Sequence, residues 1–212
     1  MQADKSVYHV AKTKAMTEES STTRKKILET ASKLFYEKGI PYVGINEVIS
    51  ESGIAKRTLY RWFSSKDILI EEVTKYRAQQ WIGWFEKAVT ERGNTPKEQL
   101  LATFDVMREW YASPGFRGCP FINAVLEIAD ASHKAHHVSI DLRESIRKIV
   151  MRLAAECGVE NPDAFSKQYL LLIGGASLMA TIEQSPDGAT FAQNALSVLI
   201  DASLTKASVN CE

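Results

Sequence analysis

The stretch Gly53-Ile54-Ala55-Lys56-Arg57-Thr58-Leu59-Tyr60-Arg61-Trp62-Phe63-Ser64-Ser65-Lys66-Asp67-Ile68-Leu69 decides the fold. Its centre, Lys56 to Phe63, reads as a short helix. Leu59 and Phe63 share one face and, with Ile54, are placed to pack on the preceding helices. Lys56, Arg57, Thr58 and Arg61 are left facing outward. Before them a short helix fits Ile45–Ser52, with Val48 and Ile49 inward, and Gly53 breaks it. Two short helices across a Gly-containing turn describe a helix-turn-helix. The outward guanidinium forks and hydroxyl suit phosphates and base edges.

Upstream, from Thr22, Ile27, Ala31, Leu34 and Phe35 form one apolar stripe of a helix that Gly39 and Pro41 terminate. Residues 1–21 are polar with little periodicity and are expected to be a disordered arm. Downstream, a long helix is expected from Lys66 to about Arg92, carrying Ile68, Leu69, Val73, Tyr76 and Trp84. Thr95-Pro96-Lys97-Glu98 has a capping residue, a first-turn proline and a capping-box glutamate, so a new helix runs from there to about Tyr111. Further helices are expected over Phe121–Ala131, His136–Cys157, Ala164–Gln184 and Ala189–Thr205, separated by proline- and glycine-bearing breaks. No strand alternation and no internal repeat is visible. The expected fold is all-α: a three-helix helix-turn-helix domain over residues 22–66, a helical sensing and dimerisation domain over 67–205, and a tail at 206–212.

Formal net charge is zero, so the total says nothing for a polyanionic partner, but the distribution does. Residues 1–80 hold fourteen Lys/Arg against ten Asp/Glu, and residues 81–212 hold twelve against sixteen. A basic front suits one polyanion-facing end. Chance asymmetry of a solvated surface would read the same. Cys119, Cys157 and Cys211 lack metal-ligand spacing and an even disulfide framework, which suggests a reducing cytosol. No apolar run approaches a membrane span and no signal-peptide core opens the chain. The expected location is cytoplasmic, without a membrane partner.

The quoted segment resembles the recognition region of the TetR family of bacterial transcriptional regulators. That pattern is Gly-Val-Ser, two variable residues, Leu-Tyr, two variable residues, Phe, then Lys and an apolar pair. The upstream helix, with its alanine and a Leu-Phe before a Lys-Gly end, is similar to the family's first helix. The likeness covers about Thr22 to Val73 and, farther on, a Gly-Cys-Pro-Phe-Ile-Asn-Ala stretch common in some members. It implies a repressor that binds palindromic double-stranded operator DNA as a homodimer and is released by a small, largely apolar or aromatic effector. It also implies that Ala55, Lys56, Arg57, Thr58 and Arg61 face the groove, that Tyr60 and Lys66 meet phosphates, and that Arg24 and Lys25 lie near the backbone. Val43-Gly44 stands where Thr-Ser or Thr-Thr is usual, so Gly44 keeps the DNA-side position but loses a hydroxyl cap; glycine still caps. Ile49 replaces a small alanine, and Trp62 a His or Tyr.

The C-terminal half is rich in large adaptable side chains, among them Trp81, Trp110 and Phe116. Candidates for the effector site are Phe85, Phe104, Met107, Tyr111, Phe121 and Tyr169, with Asn123 and Glu127 as polar groups; a plain core role is the alternative for each. The Leu170-Leu171-Leu172-Ile173 run is apolar nearly all round and must be buried on several sides. With the resemblance, it implies a four-helix bundle across a twofold axis, with Leu171, Gly174, Gly175, Leu178, Phe191, Ala195 and Leu199 at the interface. Asp130, His133, His136 and His137 invite a metal reading, but their place at a helix entrance favours capping, and no metal or cofactor is expected. Cys119 reads as a buried thiol rather than a sensor. An enzyme lacks support, since no His pairs with a nucleophile and no nucleotide loop appears. A DNA-packaging or protein-interaction module remains the other class.

Overall fold

The computed structural model describes residues 5–204, with side chains from residue 21. Among the described residues the secondary structure is helical. Helix α1 (Lys5–Lys38) leads through a 3-10 turn (Ile40–Tyr42) to α2 (Ile45–Ser52), α3 (Lys56–Trp62) and α4 (Lys66–Arg92). Then follow α5 (Pro96–Tyr111), α6 (Pro120–Ile128), α7 (Lys134–Glu156), α8 (Pro162–Glu183) and α9 (Asp187–Ser203). The expected order of helices holds. One difference lies in residues 1–21, expected to be an unstructured arm: the chain is helical from Lys5 onward. No Gly or Pro interrupts Lys5 to Lys38, and Lys, Ala, Met and Glu all favour helix, so the helix extends upstream of its apolar stripe. The expected tail, 206–212, and with it Cys211, lies outside the described residues.

The chain divides into two compact units, Met1–Tyr76 and Arg77–Glu212. The expected boundary at 66/67 falls earlier because the start of α4 belongs to the first core: Leu69, Ile70 and Val73 are buried. In this first unit α1 packs on α2 and α3. Ile27, Ala31, Leu34 and Phe35 are all buried, as the stripe requires, and meet a core holding Val48, Leu59 and Phe63. Gly53 sits at φ 64 and its N–H donates to the carbonyls of Ile49 and Ser50. A side chain at that left-handed position would be strained, so the glycine sets the turn between the two short helices.

In the second unit α5 packs on α7 and α9, α7 on α6 and α8, and α8 on α9. Phe85, Leu100, Phe104, Val150, Leu153, Phe165, Tyr169 and Leu196 form one buried cluster. The capping box opens α5 as its residues dictate. The Thr95 hydroxyl accepts from the Glu98 N–H at 3.2 Å, and the Glu98 carboxylate accepts from the Thr95 N–H at 3.1 Å. At the start of α9, a Cβ on Gly188 would lie 2.9 Å from the Ala176 carbonyl oxygen. Only glycine permits that approach of α9 to α8. No helix among the described residues is long and apolar enough to cross a membrane.

Candidate functional site

The reading head is assembled by burying one side of a seven-residue helix and leaving the other in water. Leu59 and Phe63 are fully buried, which fixes α3 on its neighbours and turns Lys56, Arg57 and Arg61 outward. Ala55 is exposed and Thr58 half-buried on the same helix start. Several cations of the unit are closely paired with carboxylates. Lys38 pairs with Glu47 at 2.6 Å, Lys75 with Glu71 and Glu72, and Arg24 with Glu72. Lys56, Arg57 and Arg61 have no carboxylate partner among the described residues. Lys56 instead lies 6.0 Å over the Tyr60 ring and Arg61 6.0 Å over Trp62. An exposed cation without a counter-charge keeps its attraction for an outside anion, whereas a paired one has spent much of it.

Other positions assigned to the DNA side are placed differently. Arg24 is half-buried, paired with Glu72, and 5.7 Å over the Phe63 ring, so it ties α1 to α3 and α4. Lys25 is exposed and only loosely paired with Glu29, at 3.7 Å. Lys66 donates to the Ile40 carbonyl at 2.7 Å, which fastens the 3-10 turn to the start of α4. Its ammonium has further donors for an outside phosphate. Gly44 caps α2 with backbone only; its carbonyl accepts from Glu47 and Val48, and no side chain assists. Tyr60 is exposed, as its position implies. Tyr42, not singled out from the sequence, is 83% exposed beside Val43-Gly44. Its signal was present as an aromatic in the Gly- and Pro-bearing turn just before α2.

The second unit contains a cavity of about 300 Å³ between α4, α5, α6, α7 and α8. Of the expected lining residues, Met107 and Phe121 are in its wall. Phe85, Phe104, Tyr111 and Tyr169 are not; they belong to the buried cluster. Phe85 stacks on Trp81 at 4.8 Å, and Phe104 lies 5.6 Å from Tyr169. Tyr111 shares a 2.7 Å hydrogen bond with Ser177, whose own hydroxyl donates to the Ile173 carbonyl, so Tyr111 is the donor between them. Burial drives the Tyr111 phenol well above its ordinary range and keeps it protonated. Asn123 and Glu127 are outside the wall too. The Asn123 amide donates to the Arg117 carbonyl and Glu127 is exposed. The wall also holds Trp81, Trp110, Leu170 and Ile173, with Arg143 and His136 from α7. The spacing of His136, Ile140 and Arg143 along one helical face was the sequence signal for the last two.

The histidines resolve as a helix entrance. His133 Nδ1 accepts from the Ala135 N–H at 3.1 Å and caps α7. Burial pushes the Cys119 thiol up, against a smaller downward pull from the Ile122 and Phe121 N–H groups, which disfavours a reactive thiolate.

The outer face of α8 and α9 carries apolar side chains in water. Leu171, Leu178, Ile182, Phe191 and Val198 are each about three-fifths exposed or more. A Cβ on Gly175 would meet nothing within 4 Å, and Ala195 is exposed, whereas Gly174, expected at the interface, is half-buried and lines the cavity. Leu199 differs from the rest of its group, since it is half-buried against the chain's own core. Ile182 and Val198 join the face without having been singled out.

Residues 27–73 match the family model described as bacterial regulatory proteins, tetR family. The HTH-type transcriptional regulator YjdC of Escherichia coli strain K12 is 22% identical over 162 residues, covering 76% of this chain and 85% of that one. An HTH-type transcriptional regulator encoded in the lacX 3' region of Lactococcus lactis is 28% identical over 171 residues, with the same coverage of 76% and 85%. Among solved structures, the TetR-family regulator SCO4454 of Streptomyces coelicolor superposes with a TM-score of 0.77 at 28% identity, covering 87% of this chain and 97% of its own.

Proposed function

We propose that this chain, which belongs to the TetR family of bacterial regulatory proteins and is a DNA-binding transcriptional regulator, is a cytoplasmic repressor that an effector releases from its operator. The observation that carries this reading is the contrast in charge pairing. Among the described residues the outward cations of α3, Lys56, Arg57 and Arg61, lack carboxylate partners, while Arg24, Lys38 and Lys75 of the same unit are paired. Arg57 and Arg61 then read base edges, and Tyr60, Lys25 and Lys66 hold the helix on phosphates. The apolar face of α8 and α9 supports a homodimer, because a patch of this kind in water marks an interface. A twofold dimer presents two recognition helices, which enter successive major grooves of a palindrome when they stand about 34–36 Å apart.

Helix α4 supports the release. It is one unbroken helix from Lys66 to Arg92, with its first turns in the core of the head and Trp81 in the cavity wall. A ligand in the cavity that favours one placement of this helix changes the fit of the paired heads. It releases DNA only if it binds the released state more tightly. Mapping the bound DNA by footprinting upstream of the chain's own gene is the test. A protected palindrome overlapping a promoter, lost when a cavity ligand is added, is the expected result. Weak protection of every sequence alike would make the protein a packaging factor instead.

A further inference from the structure

Resting on the effector reading above, we infer that the cavity of the second unit takes an organic acid: an apolar body lodged against Trp81, Trp110, Met107 and Phe121, with its anionic head on Arg143. The charge inventory of the wall points this way. The wall contains Arg143 and His136 and no Asp or Glu. Arg143 is exposed and has no ion pair among the described residues, although it shares α7 with two arginines that are both paired. Arg147 engages Glu144 and Asp163, and Arg152 engages Glu156. The positions one helical turn from Arg143 on either side are Ser139, Ile140, Ile146 and Arg147, so α7 itself offers it no carboxylate. A guanidinium at the rim of an apolar cavity is matched by a carboxylate, which it binds through paired N–H donors.

The hydroxyls inside do not compete for that role. Ser177 donates to Ile173 and accepts from Tyr111, and Ser139 donates to the Ala135 carbonyl. The indole N–H of Trp81, by contrast, is out of contact with water and has no acceptor. A buried donor without a partner is disfavoured, and a ligand oxygen near Trp81 would relieve it. The wall therefore asks for an acceptor and for negative charge, and it holds no carboxylate for a cation.

The experiment titrates the full chain with naphthalene-2-carboxylate, with decanoate, with naphthalene-2-carboxamide and with 2-naphthylmethylamine. Quenching of tryptophan fluorescence and calorimetry report binding. At least one acid should bind about tenfold or more tighter than the amide, since a charge-assisted pair outweighs a neutral one, and the amine should bind most weakly. Arg143→Gln should erase the preference, and Arg143→Lys should restore part of it. Arg143 is exposed, so neither change threatens the fold, and far-ultraviolet circular dichroism checks that. Met107→Trp should abolish binding of every probe by filling the cavity. Failure of both acids to bind, or equal affinity for acid and amide, overturns the assignment. So does an acid preference that survives in Arg143→Gln. Operator release is measured separately with each probe. Acids that bind with the Arg143-dependent preference yet leave operator affinity unchanged uphold the ligand class and remove the effector role. Release by the amide and the acid alike does the reverse.

Discussion

Leu59 on α3 and Leu178 on α8 are both helical leucines, and one is fully buried while the other is 59% exposed. In the head, a small core takes every large apolar side chain of α3 except the aromatic rim, and the outward face is left to cations. In the second unit the core is much larger, yet α8 and α9 still carry an apolar face in water. The difference is that the head's described outer face is left charged, whereas the second unit leaves apolar side chains of α8 and α9 uncovered. Function follows the leftover in each: uncompensated charge in the first, uncovered apolar area in the second.

The comparison breaks most sharply at Leu178. Replacing it with Glu puts a charge on a face already in water, so the folded chain should tolerate it. In a dimer the same charge is desolvated without a partner, a penalty of several kcal/mol. Sedimentation should show wild type as a dimer at micromolar concentration and Leu178→Glu as a monomer with unchanged helical content. Binding to a palindromic operator should fall with it, while binding to a half-site is retained. A monomeric wild type would leave the apolar face unexplained.

Core truncation tests whether the two units are energetically separate. Phe104→Ala in the second should cost about 3–5 kcal/mol, and Leu59→Ala in the first about 2–5 kcal/mol, from lost transfer energy plus a cavity. Denaturant unfolding followed by tryptophan fluorescence should show the Phe104 change in a transition that the Leu59 change leaves in place. Trp81, Trp84 and Trp110 all report on the second unit. If both variants lower one shared transition equally, the units unfold together.

The head was legible because its determinants are local. The spacing of Leu59 and Phe63 and the stop at Gly53 each operate within a turn or two of chain, as does the capping box at Thr95 in the second unit. The cavity was not, for a reason visible on α5. Phe104 and Met107 are one turn apart, both apolar and both in the buried core, yet only Met107 also reaches the cavity. Periodicity reports that a side chain points inward; what it meets there is set by α7 and α8, distant in sequence. Arg143 escaped notice for the same reason, since its lack of a carboxylate partner exists only once the helices are packed.

Within the head, Arg57→Ala and Lys25→Ala should separate reading from holding. Arg57→Ala should lower affinity for the specific operator by about 1–3 kcal/mol and leave random duplex binding nearly unchanged. Arg61→Ala should behave in the same way. Lys25→Ala should weaken both duplexes alike and reduce the salt dependence by about 0.9 in the log-log slope, the worth of one phosphate. Gel shifts over a range of salt measure all three quantities. An unchanged specific-to-random ratio in both arginine variants would remove base reading from α3.

The smallest expected effect compares two helix starts, one in each unit. Thr95 caps α5 through its hydroxyl, whereas Gly44 caps α2 with backbone alone. Thr95→Ala should therefore lower stability by about 0.5–2 kcal/mol. Gly44→Ser should raise that of the head by a few tenths of a kcal/mol, because serine caps slightly better than glycine. Two features of position 44 allow this. Its φ of −87° and ψ of 157° suit any L residue, and a Cβ there meets nothing within 4 Å. The new hydroxyl would be able to accept from the first-turn N–H groups of α2, which now lack a side-chain partner. Melting of the head, followed by backbone amide exchange at Asn46 and Glu47, measures the gain. Slower exchange there, without a change at α5, is the expected signature. A Gly44→Ser head no more stable than wild type would mean that α2 is held by the burial of Val48 and not by its cap.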